Sequence, residues 1–102
     1  MPHQNQTHTL QIHYGGVAVE LKFDETVHAE LRIKHIVRDS VDSDNNPTRL
    51  VLTTTLQTDY EWHEFIEGII EYHPDKIHAV LRANKTEIAS MEVPRTASQN
   101  RP

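Results

Sequence analysis

Eight histidines and fifteen acidic residues are the raw material for chemistry in this chain of 102 residues. Imidazole nitrogens and carboxylate oxygens together bind zinc and similar metals. The spacing does not assemble them. His63-Glu64 starts like the His-Glu-x-x-His zinc helix, but position 67 is Glu. On a helix, His63 and His73 would point about 80° apart. No metal and no cofactor are therefore expected. His35 shares the parity of its apolar neighbours, and reads as a hydrogen-bonded interior histidine. Asp39, Asp42 and Asp44 offer oxygens to calcium, but the segment lacks the turn Gly and closing Glu of an EF-hand. It reads as a surface turn. Nucleophilic catalysis finds no support either. There is no Cys and no Gly-x-Ser-x-Gly. Glycine occurs only at 15, 16 and 68, too sparsely for a phosphate cradle. A non-enzymatic protein is expected.

The acidic residues are unevenly placed. Asp59, Glu61, Glu64, Glu67 and Glu71 lie in a segment, 59–73, that has no Lys or Arg. Ten acids and ten bases balance elsewhere, so the whole net charge of −5 resides there. Exposed faces normally mix signs. A surface of one sign steers partners of the other. These five acids are the candidate partner-binding residues. Arg32, Lys34 and Arg38 form a basic stripe elsewhere, so the molecule reads as dipolar. A pI near 5.8 argues against direct nucleic-acid binding.

The elements that must position these residues are read from periodicity. Leu10, Ile12 and Tyr14 alternate with polar residues, as do Val17, Val19, Leu21 and Phe23. Gly15-Gly16 between them marks a hairpin. Residues 27–38 alternate throughout and read as one long strand, with a helix from Glu25 as the alternative. Residues 39–48 read as a polar loop, and 49–58 as a strand pairing with 27–38 across it. Trp62, Phe65, Ile66, Ile69 and Ile70 recur at helical spacing. Thr58 and Glu61 have capping-box spacing, and Pro74 ends the run. This predicts an amphipathic helix with Glu61, Glu64, Glu67 and Glu71 on its outer side. Residues 77–83 and 88–93 then form a second hairpin around Asn84-Lys85.

The expected fold is α+β, in the order β-β-β-β-α-β-β, a mainly antiparallel sheet with one helix packed across it. One domain is expected over 8–93, with loose tails at 1–7 and 94–102 and no internal repeat. Strand residues 50–56 and 77–83 are apolar on both parities, with Val51 and Val80 beside Leu50, Leu52 and Leu81. The second face is covered either by a twin subunit or partner, or by the sheet curling on itself. No transmembrane run and no secretory leader are visible, so a cytoplasmic protein away from membranes is expected. The functional expectation is a small regulatory module, of the size and charge of phage-type inhibitors, whose acidic helix face meets a basic protein surface. The alternative is a subunit of a homo-oligomer or larger assembly. Less favoured is a metal-dependent protein using histidines with carboxylates.

Overall fold

The computed structural model describes residues 7–25, 28–42, 48–59 and 62–95. Eight strands account for nearly all of them: β1 (His8–Tyr14), β2 (Val17–Phe23), β3 (His28–Ile33), β4 (Ile36–Asp42), β5 (Arg49–Asp59), β6 (Trp62–Tyr72), β7 (Lys76–Ala83) and β8 (Thr86–Pro94). They form two four-stranded antiparallel meanders, β1-β2-β3-β4 and β5-β6-β7-β8. The expected α+β fold is thereby corrected to all-β, because the predicted helix is strand β6. Its residues are aromatic and β-branched, which suits a strand, and Gly68 is poor in a helix interior. Ile66, Gly68, Ile70 and Tyr72 point inward, while Phe65, Glu67, Ile69 and Glu71 take the opposite face. The helical spacing arises because Phe65 and Ile69 put apolar side chains on the outer face as well.

Three further expectations change. The described part of the expected strand, 28–38, is divided between β3 and β4 by a two-residue turn at Lys34 (φ 55°) and His35 (φ 67°). A turn of two residues preserves the alternation, and Lys34-His35 holds no Gly, Asn or Asp, so none of the usual hairpin-turn residues punctuates the sequence. His35 is therefore an exposed turn residue and not an interior one. Residues 39–42 belong to β4, and β5 pairs with β6 rather than with 27–38. Gly15-Gly16 and Asn84-Lys85 do form hairpin turns, each with two positive φ values. The segments 1–6, 43–47 and 96–102 lie outside the described residues.

A single core lies between the sheets. Leu21, Phe23, Leu31, Leu52, Ile66, Ile70, Ile77 and Leu81 are its largest fully buried side chains. The open edges approach each other. β1 runs alongside β8, and β4 alongside β5. At the second junction Thr53 N–H donates to Asp39 Oδ2 at 3.0 Å. Arg38 Nη2 donates to the Thr55 carbonyl at 3.4 Å. Edges covered in this way are poor templates for pairing with other chains. A buried bond ties the sheets together as well. Tyr72 O–H donates to the Asp24 carbonyl at 2.8 Å, and the Arg95 guanidinium sits 5.3 Å from the centre of the Tyr72 ring.

The two meanders repeat one plan, which corrects the expectation of no internal repeat. His28-Ala29-Glu30-Leu31-Arg32 and His78-Ala79-Val80-Leu81-Arg82 agree at four of five positions, fifty residues apart. The register slips between Leu31 and Arg32, and again between Leu81 and Arg82. Glu20 lies opposite Arg32, and Glu67 opposite Arg82. Leu31 faces Leu21, which faces Leu10; Leu81 faces Gly68, which faces Leu52. Leu21 and Gly68 are thus counterparts, and they meet. A Cβ on Gly68 would fall 2.7 Å from Leu21 Cδ1. The correspondence is weak in β1, β2, β5 and β6, where offsets differ from fifty, and this hides it from simple inspection.

Among the described residues no helix is long and apolar enough to cross a membrane.

Candidate binding surface

The outer face of β5–β8 is built from three complete cross-strand rows. Arg49, Glu71, His78 and Glu92 form the first. Val51, Ile69, Val80 and Ser90 form the second, and Thr53, Glu67, Arg82 and Glu87 the third. The order across the face is ionic, apolar, ionic. Phe65 lies opposite Thr55 one row further along. Val51 is 47% exposed and Phe65 37%. Ile69 is buried although it faces outward. A shallow concavity of about 370 Å³ opens here, with Ile69 and Val80 as its apolar floor.

The five expected contact residues do not form one ridge. Glu61 lies outside the described residues, and Asp59 ends β5 opposite Trp62. Glu67 and Glu71 share the outer face, whereas Glu64 has the inward parity. The spacing that would align them on a helix separates them on a strand. Nor are Glu67 and Glu71 uncompensated. Arg82 Nε lies 3.8 Å from Glu67 Oε1, and Arg49 Nε 3.7 Å from Glu71 Oε2. His73 and His78 also approach Glu71, at 3.7 and 4.0 Å. The cations absent from 59–73 are supplied by β5 and β7, the cross-strand neighbours. A half-exposed pair such as Arg49–Glu71 contributes about 0–1 kcal/mol, so it orients the surface more than it stabilises it.

Glu64 closes one corner of the molecule. It accepts from Tyr14 O–H at 2.7 Å and from Asn84 Nδ2 at 2.6 Å. Asn84 also receives the Phe65 N–H on Oδ1 at 2.9 Å. The bond to Glu64 raises the Tyr14 pKa, with desolvation and the Glu64 charge adding to it. In Glu64→Gln the Tyr14 phenol is expected to titrate lower, back towards its ordinary value near 10. Following the Tyr14 ring carbon by NMR from pH 8 to 12 would check this. An unmoved midpoint would mean that the bond is not made in solution.

Basic residues are rearranged too. Arg32 pairs with Glu30, at 2.8 Å from Nη2 to Oε1. Lys34 and Arg38 are exposed and line a different corner. His35 Nδ1 lies 3.3 Å from Oε1 of the buried Glu20. Among the described residues no three His, Asp or Glu side chains converge as a metal site requires.

No family model, curated protein or solved structure matches this chain. The surface itself therefore carries the functional argument. The residues that the acidic reading missed are Val51, Ile69, Val80 and Phe65. The signal for Val51 and Val80 was present in the sequence, as apolar residues on both parities of 50–56 and 77–83, whereas Phe65 and Ile69 were absorbed into the apolar face of the expected helix.

Proposed function

We propose that this protein is a non-catalytic binding module that holds another protein against the outer face of β5–β8. The observation that carries this reading is the apolar row Val51–Ile69–Val80 on the outer face, exposed at Val51 and bracketed by two ionic rows. Protein interfaces combine an apolar centre with a polar rim in this way. Aromatic side chains such as Phe65 are the usual anchors. The rim charges, Glu67 and Glu71 among them, select orientation and reject mismatched surfaces. The acidic residues thus keep a part in recognition, as members of mixed rows.

The test uses three immobilised forms: the natural chain, Val51→Lys/Phe65→Lys, and a control, Lys22→Glu, on the other sheet. Each is exposed to lysate of the source cells at moderate salt, and matched thermal melts verify folding. One saturable partner captured by the natural chain and the control, and lost by at least about tenfold in the double variant, supports the proposal; tenfold corresponds to about 1.4 kcal/mol. Capture indifferent to the double variant, or no capture at all, overturns it. If the captured protein is this chain itself, the alternative of a homo-oligomeric subunit replaces it.

A further inference from the structure

The two halves differ most informatively at one pair of corresponding corners. At the first, the Asn84-Lys85 turn is closed by the Tyr14–Glu64–Asn84 bonds. At the second, the counterpart turn is Lys34-His35, and the residue corresponding to Tyr14 is Leu56, four positions beyond Leu52 as Tyr14 is beyond Leu10. A cavity of about 310 Å³ lies there. Ile33, Leu56 and Ile36 supply its apolar wall, Lys34, Arg38 and His63 its basic groups, and Thr55 and Gln57 complete the lining. Ile33 and Leu56 are core residues, while Ile36 is 63% exposed, the most exposed large apolar side chain described. No acid lines the cavity among the described residues. Neither Lys34, Arg38 nor His63 forms an ion pair with an acid among those residues. Arg49, Lys76 and Arg82 on the second sheet all do.

We propose that this corner binds a small organic anion with an apolar body, of the aryl sulfonate or hydrophobic carboxylate class. The volume is at the lower end of that of small-molecule sites, about 300–1,000 Å³. The apolar body would lie mainly on Ile36, at the margin of the buried Ile33 and Leu56. The anionic group would be met by Arg38 and Lys34, since charge-assisted bonds are the strong ones and a guanidinium suits a planar or tetrahedral oxyanion. Arg38 is already oriented towards this corner by its bond to the Thr55 carbonyl. This site is separate from the apolar row of the proposed protein interface, and it stands or falls independently.

Two dyes with the same body separate charge from hydrophobicity. 8-Anilinonaphthalene-1-sulfonate is the anion, and N-phenyl-1-naphthylamine is its neutral counterpart. Fluorescence titration of the full chain is expected to show one saturable sulfonate site. The neutral dye should bind at least about tenfold more weakly, the loss of roughly one charge-assisted bond. Arg38→Gln and Lys34→Asn should each weaken the sulfonate by about five- to tenfold. Asn is the residue of the sister turn and tolerates its backbone. Lys22→Glu should leave the affinity unchanged. Equal affinity for both dyes, or sulfonate binding indifferent to Arg38→Gln and Lys34→Asn, would overturn the proposal, as would absence of saturable binding. Because both substitutions are at exposed positions, a matched melting curve confirms that an affinity loss is not a loss of fold.

Discussion

Gly68→Ala is expected to destabilise the protein by about 1–3 kcal/mol, the usual cost of overpacking a filled core. Two effects oppose each other at this position. Alanine restricts the unfolded chain and suits a strand better, which favours the variant by about 0.5–1 kcal/mol. Against this, the new Cβ would sit 2.7 Å from Leu21 Cδ1 and 3.3 Å from Cδ2. Leu21 is fully buried, so it has little room to turn away. Overpacking wins, and the melting temperature should fall by about 4–8 °C for each kcal/mol. Urea unfolding of the double variant is the sharper check. Leu21→Ala alone should cost about 2–5 kcal/mol through its cavity. With both substitutions, the methyl group introduced at position 68 enters space that Leu21 vacated, so the combined loss should fall short of the sum by about 1 kcal/mol or more. Simple additivity would show that the two residues do not press on each other.

The second large effect is expected at Tyr72. In Tyr72→Phe the Asp24 carbonyl loses its buried donor, at a cost of about 1–3 kcal/mol. This loss should depend on pH. Burial foremost, with the Asp24 and Glu25 charges adding and Arg95 opposing, pushes the Tyr72 phenol up to about 12. The unfolded chain titrates near 10. Below pH 10 both states hold the proton, and the contribution is complete. Between 10 and 12 the unfolded state releases it first, so stability falls as pH rises. Unfolding at pH 8, 10 and 11 should therefore show the gap between the natural chain and Tyr72→Phe narrowing above pH 10. A constant gap up to pH 11.5 would refute the raised pKa.

Where one face alone is apolar, this sequence is plainly legible. Leu10-x-Ile12 and Val19-x-Leu21-x-Phe23 around Gly15-Gly16 give β1 and β2; β7 and β8 are legible instead from the Asn84-Lys85 turn between two β-prone runs. β6 was illegible for a physical reason. Ile66 and Ile70 serve the core, but Phe65 and Ile69 serve the outer surface, and their union imitates a helix. The acidic ridge failed with it, since charge compensation on a sheet comes from across the strands. Arg49 and Arg82 lie far from Glu71 and Glu67 in sequence, yet they face or neighbour them in the register. The cavity at Lys34 and Arg38 was half visible, in the basic stripe; His63 and Leu56 reach it only through the fold.

The Leu21–Gly68 encounter also bears on which half packs with which. If two first halves associated, leucine would meet leucine where the space holds only one. If two second halves did, glycine would meet glycine and leave a void. Only the unlike pairing fills the middle of the core. A chain of two like halves is at risk of pairing equivalent halves with each other, and Leu21 and Gly68 make every like-with-like combination the poorer one. The two halves fit each other like lock and key, and this complementarity favours first-with-second pairing over pairing of like halves.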